Sequence, residues 1–200
     1  MKTLFKTGYE KILKLFYSDR NAQFHTIEIV RRTGLNENSA FRFLNQMEKD
    51  KILISKKDGN MKKYSIAKND VAYSLLTHLD ILKFNSLPSI RKSATKLFLS
   101  KLKEQPIMVI LFGSTAKENF QEQSDIDLLL IVNRKIDTKG AVSHADAQTG
   151  IRISAIQITF EELVEEIKLK NDKVIQSALN TGYPITNHIK YYEMIYYEGI

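Results

Sequence analysis

The stretch PIMVILFGSTAKENFQEQSDIDLLLIV, residues 106–132, holds two apolar runs separated by a polar segment. Met108 to Phe112 is short and wholly apolar, which predicts a buried strand that ends at Gly113 and Ser114. A second strand is expected to hold Asp125-Ile126-Asp127 and to continue through Leu128 to Val132. Alternation along that strand sends Asp125 and Asp127 to one face and Ile126 to the other. Two like charges on one face of a buried strand repel and are costly to desolvate, so a positive partner is expected between them. Hard oxygen ligands so close together suit Mg2+ or Mn2+, since Mg2+ takes a few carboxylates together with waters and substrate phosphates. Gly113 allows a phosphate to approach the backbone, Ser114 supplies a hydroxyl and an amide, and Lys117 adds charge. Thr115 to Phe120 is read as the start of a helix whose free N–H groups would face an anion.

These residues resemble the signature of the nucleotidyltransferase superfamily that includes DNA polymerase beta, and most closely its minimal bacterial and archaeal members. The pattern is Gly-Ser at a strand end, about ten residues, then Asp-x-Asp on the next strand; here it reads Gly113-Ser114, ten residues, Asp125-Ile126-Asp127, within SDIDLLL. The similarity runs from about Lys103 to the end of the chain, where NTGYPIT resembles the family's close after a helix. The resemblance implies that Asp125 and Asp127 are catalytic and hold the divalent metal. It also implies that Gly113, Ser114, Thr115, Lys117 and Ser124 bind a nucleoside triphosphate, with ATP the expected one. The implied reaction transfers a nucleoside monophosphate to an acceptor hydroxyl, with pyrophosphate leaving.

Two departures stand against the pattern. Many members carry a third carboxylate on a later strand, but the strand IRISAIQIT, residues 151–159, has no acid; its polar positions are Arg152, Ser154 and Gln157. Asp146, expected in a loop, and Glu161 and Glu162, at the start of the next helix, are the nearby substitutes. Glu118 stands where close relatives often have glycine, which would leave the phosphate loop less open.

Upstream, the charge is uneven. Residues 1–70 hold 15 Lys and Arg against 8 Asp and Glu, whereas residues 71–200 hold 15 against 15, so the whole net charge of +7 lies in the first third. A basic module joined to a neutral one points to a polyanion partner for the first. Its pattern is three helices and a hairpin. Leu4, Phe5, Ile12, Leu13, Leu15 and Phe16 mark the first helix, and Ile27, Ile29 and Val30 the second, which stops at Gly34. Asn36 is expected to cap the third, with Ala40, Phe43, Leu44 and Met47 inward. Two strands then flank a turn at Asp58, Gly59 and Asn60. Over residues 1–69 this resembles a winged helix-turn-helix. The resemblance implies DNA binding, with Asn38, Ser39, Arg42 and Gln46 near base edges and Lys56, Lys57, Lys62 and Lys63 on phosphates, where Arg31 and Arg32 are further candidates.

Residues 70–103 read as a helical connector, with Val71, Leu75, Leu79 and Leu82 on one face of its first helix, and 104–200 as the nucleotidyltransferase-like domain. Further on, FEELVEEIKLKNDKVIQSAL is expected to be one amphipathic helix, and the tail tyrosines Tyr191, Tyr192, Tyr196 and Tyr197 to pack on their own domain. Without cysteine there is no disulfide, thiolate zinc site or cysteine nucleophile, and no apolar run reaches membrane-span length, so a cytoplasmic protein with no membrane partner is expected. The chain thus reads as a two-domain α+β/α/β protein: an N-terminal winged helix-turn-helix and a C-terminal nucleotidyltransferase-fold mixed sheet flanked by helices. Two functions stay open. One is a metal-dependent nucleotidyltransferase coupled to DNA binding. The other is a DNA-binding regulator or antitoxin whose degenerate transferase domain senses nucleotide or binds a partner such as a toxin protein. Homodimerisation is compatible with either.

Overall fold

The computed structural model describes residues 7–197, the Tyr197 side chain excepted; Leu4 and Phe5 lie outside the described residues. The chain divides into two compact units, Met1–Leu79 and Asp80–Ile200.

In the first unit, α1 (Thr7–Ser18) is followed by β1 (Phe24–His25), α2 (Thr26–Thr33), α3 (Glu37–Lys49), β2 (Leu53–Asp58) and β3 (Met61–Ile66). The strands form an antiparallel sheet in the order β1-β3-β2. Helix α2 stops at Gly34, whose φ of +65° lets its N–H return to the Val30 carbonyl. The Asn36 side chain accepts from the Ser39 N–H at 2.8 Å and starts α3. Ile12, Leu13, Phe16, Ile29, Ala40, Leu44 and Met47 are fully buried, the consequence of apolar residues recurring at helical spacing. Ile27 departs from the expected stripe: at the first turn of α2 it is 69% exposed, while Ile29 takes the inward position.

Helix α4 (Asp70–Ser86) leads from the first unit into the second, and it buries Ala72, Leu76 and Leu79 while Val71 is exposed, a face displaced from the expected one. The second unit continues with α5 (Ser89–Lys101), β4 (Met108–Phe112), α6 (Gly113–Ala116), β5 (Ile126–Val132), α7 (Lys139–Thr149), β6 (Ile153–Thr159), α8 (Phe160–Leu169), α9 (Lys173–Thr181), β7 (Tyr183–Thr186) and α10 (His188–Tyr197). Its mixed sheet has the order β6-β5-β4-β7, with β5 and β6 parallel and the other pairs antiparallel. Leu87, Ala94, Phe98 and Leu102 pack with Val109, Leu111, Leu128 and Leu130 and with Ala141 and Ala145, so α5 and α7 cover one face of the sheet. Helix α5 is therefore part of this unit's core, where the sequence had set residues 70–103 apart as a connector. Helices α8, α9 and α10 contact the sheet through β4, β5, β6 and β7.

The expected long helix over 160–179 is two. Lys170 adopts φ +55° at the end of α8, and the Asp172 side chain caps α9 through the Val174 and Ile175 N–H groups. Buried Glu166 secures the break, accepting from the Asp172 N–H at 2.8 Å and the Gln176 amide at 2.9 Å. At the C-terminal end Tyr191, Tyr192 and Tyr196 are buried, as expected of packing on their own domain. The Tyr192 hydroxyl donates to the fully buried Asp80 carboxylate at 2.9 Å, and His188 Nδ1 lies 3.2 Å from the same oxygen.

Candidate functional site

Strand β4 ends where the fully buried run Met108–Leu111 gives way to Gly113. Phe112 pairs with Asp127 across the β4–β5 ladder, which brings the Gly113 turn beside that carboxylate. Gly113 has φ +70°, and a Cβ there would collide with the Asp127 carboxylate. Only glycine meets both demands.

Ile126 is fully buried between half-buried Asp125 and Asp127, so the two acids share the opposite side of the strand; Asp125 sits on the approach to β5, one residue ahead of its start. Burial raises the Asp127 pKa above the usual aspartate value, and the Asp125 charge raises it further. Among the described residues neither carboxylate has an ion pair or hydrogen bond. Two uncompensated acids against a glycine turn are what a divalent cation would relieve, and their hard oxygens fit Mg2+ or Mn2+.

Among the described residues no third acid joins the pair. Parallel pairing sets Ser154 of β6 opposite Asp127, and the Ile126 N–H bonded to the Arg152 carbonyl places Arg152 alongside Asp125. Arg152 is exposed and forms no ion pair with Asp125. The nearby acids lie elsewhere: Asp146 is on α7, not in a loop, Glu161 is exposed, and Glu162 closes a capping box with Thr159. The Gln157 side chain is committed to both backbone groups of Ile136, each at 2.9 Å. No group of three or more His, Cys, Asp or Glu suited to a metal occurs among the described residues.

The polar segment between the strands differs from expectation. The helix after Gly113 is a single turn, Gly113–Ala116, and not a helix over 115–120. It closes with Lys117 and Glu118 N–H groups bonded to the Gly113 and Thr115 carbonyls, and Glu118 adopts φ +58°. That left-handed backbone is one that glycine adopts more readily than glutamate. Ser114 is half-buried and Lys117 exposed beside the turn. Thr115 is fully buried and its hydroxyl is engaged inside the protein, which leaves its main chain as the part that could serve a nucleotide. The Ser124 hydroxyl accepts from the Gln121 N–H at 3.0 Å and shapes the loop that delivers Asp125.

Arg91 joins this loop, although its sequence neighbourhood carries no motif. It lies on α5, is 2% exposed, and sends Nη1 to the Thr115 hydroxyl at 2.9 Å. Its Nη2 reaches the carbonyls of Gln121, Glu122 and Ser124 at 2.8, 3.3 and 2.9 Å. A signal is present: Arg91, Ala94 and Phe98 recur at helical spacing on the buried side of α5, so an arginine stands on its inward face.

The first unit offers a separate surface. Asn38, Arg42 and Gln46 are exposed along α3, and Ser39 is half-buried beside them. With Phe41, Asn45 and Lys49, the first three line a shallow groove. Gln46 donates to the Asp50 carboxylate at 2.8 Å, and the Arg42 guanidinium lies 5.4 Å from the Phe43 ring centre. In the hairpin Lys56 pairs with Lys63 and Lys57 with Lys62 across a two-residue Gly59-Asn60 turn. Like charges directly opposite are unfavourable in a sheet unless a polyanion separates them. Lys62 has found a partner already: its ammonium is 3.0 Å from the Glu48 carboxylate of α3. Hydrogen bonds from Ser55 and Lys62 lower the Glu48 pKa, and the bond to Glu48 raises that of Lys62.

Residues 94–189 match the family model described as Polymerase beta, Nucleotidyltransferase, so the second unit carries a domain similar to those nucleotidyltransferases. Comparison with curated proteins and with solved structures gave no match. No helix among the described residues is long and apolar enough to cross a membrane.

Proposed function

We propose that the chain is a metal-dependent nucleotidyltransferase joined to a DNA-binding winged helix. The observation that carries the reading is the carboxylate pair: Asp127 lies against Gly113 and feels the Asp125 charge, with no counter-ion for either from the described residues. Asp125 and Asp127 would hold Mg2+ or Mn2+, while the Gly113-Ser114 turn, Lys117 and the Ser124 loop would receive the triphosphate of a nucleotide such as ATP. When bound, the divalent cation supplies charge stabilisation at the transferring phosphoryl group.

This chain's residues do the positioning. Gly113 keeps the turn open at the one point where a side chain would displace Asp127. The acceptor hydroxyl would form the new bond to the α-phosphorus as the bond to the leaving pyrophosphate breaks, and its proton would pass to water, since Ser154 stands where a third acid would be sought. The test is incubation of the full chain with nucleoside triphosphates labelled on the α-phosphate, a divalent metal and candidate acceptors, including a partner toxin protein. Transfer of label that Asp127→Asn abolishes supports the reading, and no transfer under any metal counts against it.

The first unit supports DNA binding through its charge and topology. Three helices, an antiparallel sheet closed by a lysine-bearing hairpin and an exposed polar face on α3 are the parts of a winged helix. The neutral second unit leaves the +7 charge of residues 1–70 as the electrostatic footprint for phosphate.

The missing third acid favours one alternative. In it the protein is a DNA-binding regulator or antitoxin whose second unit senses nucleotide or binds a partner without transferring anything. Metal-dependent nucleotide binding without label transfer would select this alternative.

A further inference from the structure

We infer that Arg91 is a positioning residue of the carboxylate site, locking the Gly113–Ala116 turn to the segment that delivers Asp125. The inference rests on the metal-and-nucleotide reading above and adds to it a residue on the far side of the loop.

Arg91 binds both halves of the site at once. Nη1 grips Thr115, inside the α6 turn, while Nη2 gathers three carbonyls from Gln121 to Ser124. Thr115 passes its own proton on toward the Asp125 carbonyl at 3.4 Å, which closes the connection to the acid. Phe120 lies beneath the guanidinium, 4.1 Å from its central carbon to the ring centre. The fork and the stacking plane together fix the group in one orientation, which a lysine ammonium cannot reproduce.

Chemistry separates this from an ordinary buried ion pair. No carboxylate neutralises Arg91 among the described residues; its partners are three carbonyls and a hydroxyl, and burial lowers its pKa. A full positive charge has been taken out of water to organise one loop. Helix α5 packs on the sheet face opposite to Asp125 and Asp127, so Arg91 leaves both carboxylates free for a cation. Groups bonded directly to a metal ligand typically govern about 10–100-fold in metal affinity, and Arg91, acting one step removed through the loop backbone, belongs at the low end of that range.

The experiment measures Mn2+ binding to the full chain by electron paramagnetic resonance, with circular dichroism and thermal melting in parallel. Arg91→Ala is expected to weaken Mn2+ by about tenfold or more while the chain stays folded. Added ethylguanidinium, which can enter the vacated space and restore the fork, is expected to recover most of that loss. The same additive is expected to do nothing for Asp125→Asn, and Arg91→Lys is expected to bind as weakly as Arg91→Ala. Should Arg91→Ala fail to fold, Thr115→Val removes only the hydroxyl that Nη1 holds and is expected to weaken Mn2+ severalfold. Wild-type affinity in a folded Arg91→Ala or Thr115→Val, or a loss that ethylguanidinium leaves untouched, overturns the assignment. Absence of Mn2+ binding by the wild-type chain overturns the site reading itself, and the Arg91 role with it.

Discussion

Gly113 stands against Asp127 so closely that a single added carbon would strike the carboxylate, and the ladder rung joining Phe112 to Asp127 holds the two in that relation. The turn and the acid therefore cannot vary independently. Gly113→Ala is expected to cost about 1–2 kcal/mol from the left-handed backbone alone. It should also push Asp127 out of line and remove Mn2+ binding, both readable from denaturant unfolding and a metal titration of the same variant. An alanine variant as stable and as competent for metal as the wild type would show that the turn is not built around the acid.

Asp127 predicts an unusual pH response. Its folded pKa lies above the ordinary aspartate value because of burial and Asp125. The folded state thus holds the proton more tightly than the unfolded chain. This group's contribution to stability falls as pH rises from the ordinary aspartate value through the raised one. Asp127→Asn is expected to raise the melting temperature of the metal-free protein at neutral pH and to abolish the stabilisation that Mn2+ gives the wild type. Melting in chelator and in Mn2+ checks both. A metal-free Asp127→Asn that melts below wild type would contradict the account.

Glu118 tests the strain that follows the Gly113–Ala116 turn. Its φ of +58° is a conformation that glycine adopts freely, so Glu118→Gly is expected to stabilise the chain by up to about 1 kcal/mol. A fall in the unfolding midpoint would mean that the glutamate side chain contributes more than its backbone costs.

For the first unit, the hairpin lysines should divide into two classes. Removing Lys56, Lys57 or Lys63 is expected to weaken DNA uniformly across sequences and to lower the salt slope by about one for each lysine–phosphate pair removed. Lys62 is held by Glu48, so its removal should matter less, and Glu48→Gln should strengthen DNA binding by freeing the ammonium. Fluorescence anisotropy over a salt series separates these outcomes. Equal losses at all four lysines would refute the division.

The strands, the Gly113-Ser114 turn and the paired acids were legible because they rest on short-range rules, alternation along a strand and the backbone freedom of glycine. So were Asn36 and Gly34 as helix ends, which depend on residues within three or four positions. Arg91 was not read as part of the site, since its partners lie 24 to 33 residues away and the spacing of SIRKSATK alone does not show a loop of carbonyls above it. The break between α8 and α9 was hidden for a similar reason: Glu166 belongs to an acidic run that looks solvated until its carboxylate meets the Asp172 N–H. Lys62 looked equivalent to its three neighbours, and only folding brought Glu48 to it.

Asp125 and Asp127, with the turn kept open by Gly113, are proposed to hold a metal-bound nucleotide. Calorimetric titration of the full chain with ATP, in Mn2+ and then in chelator, tests it directly. Binding that needs Mn2+ and disappears in both Asp125→Asn and Asp127→Asn is the result expected here. ATP binding that is indifferent to metal, or that survives in either variant, would contradict it.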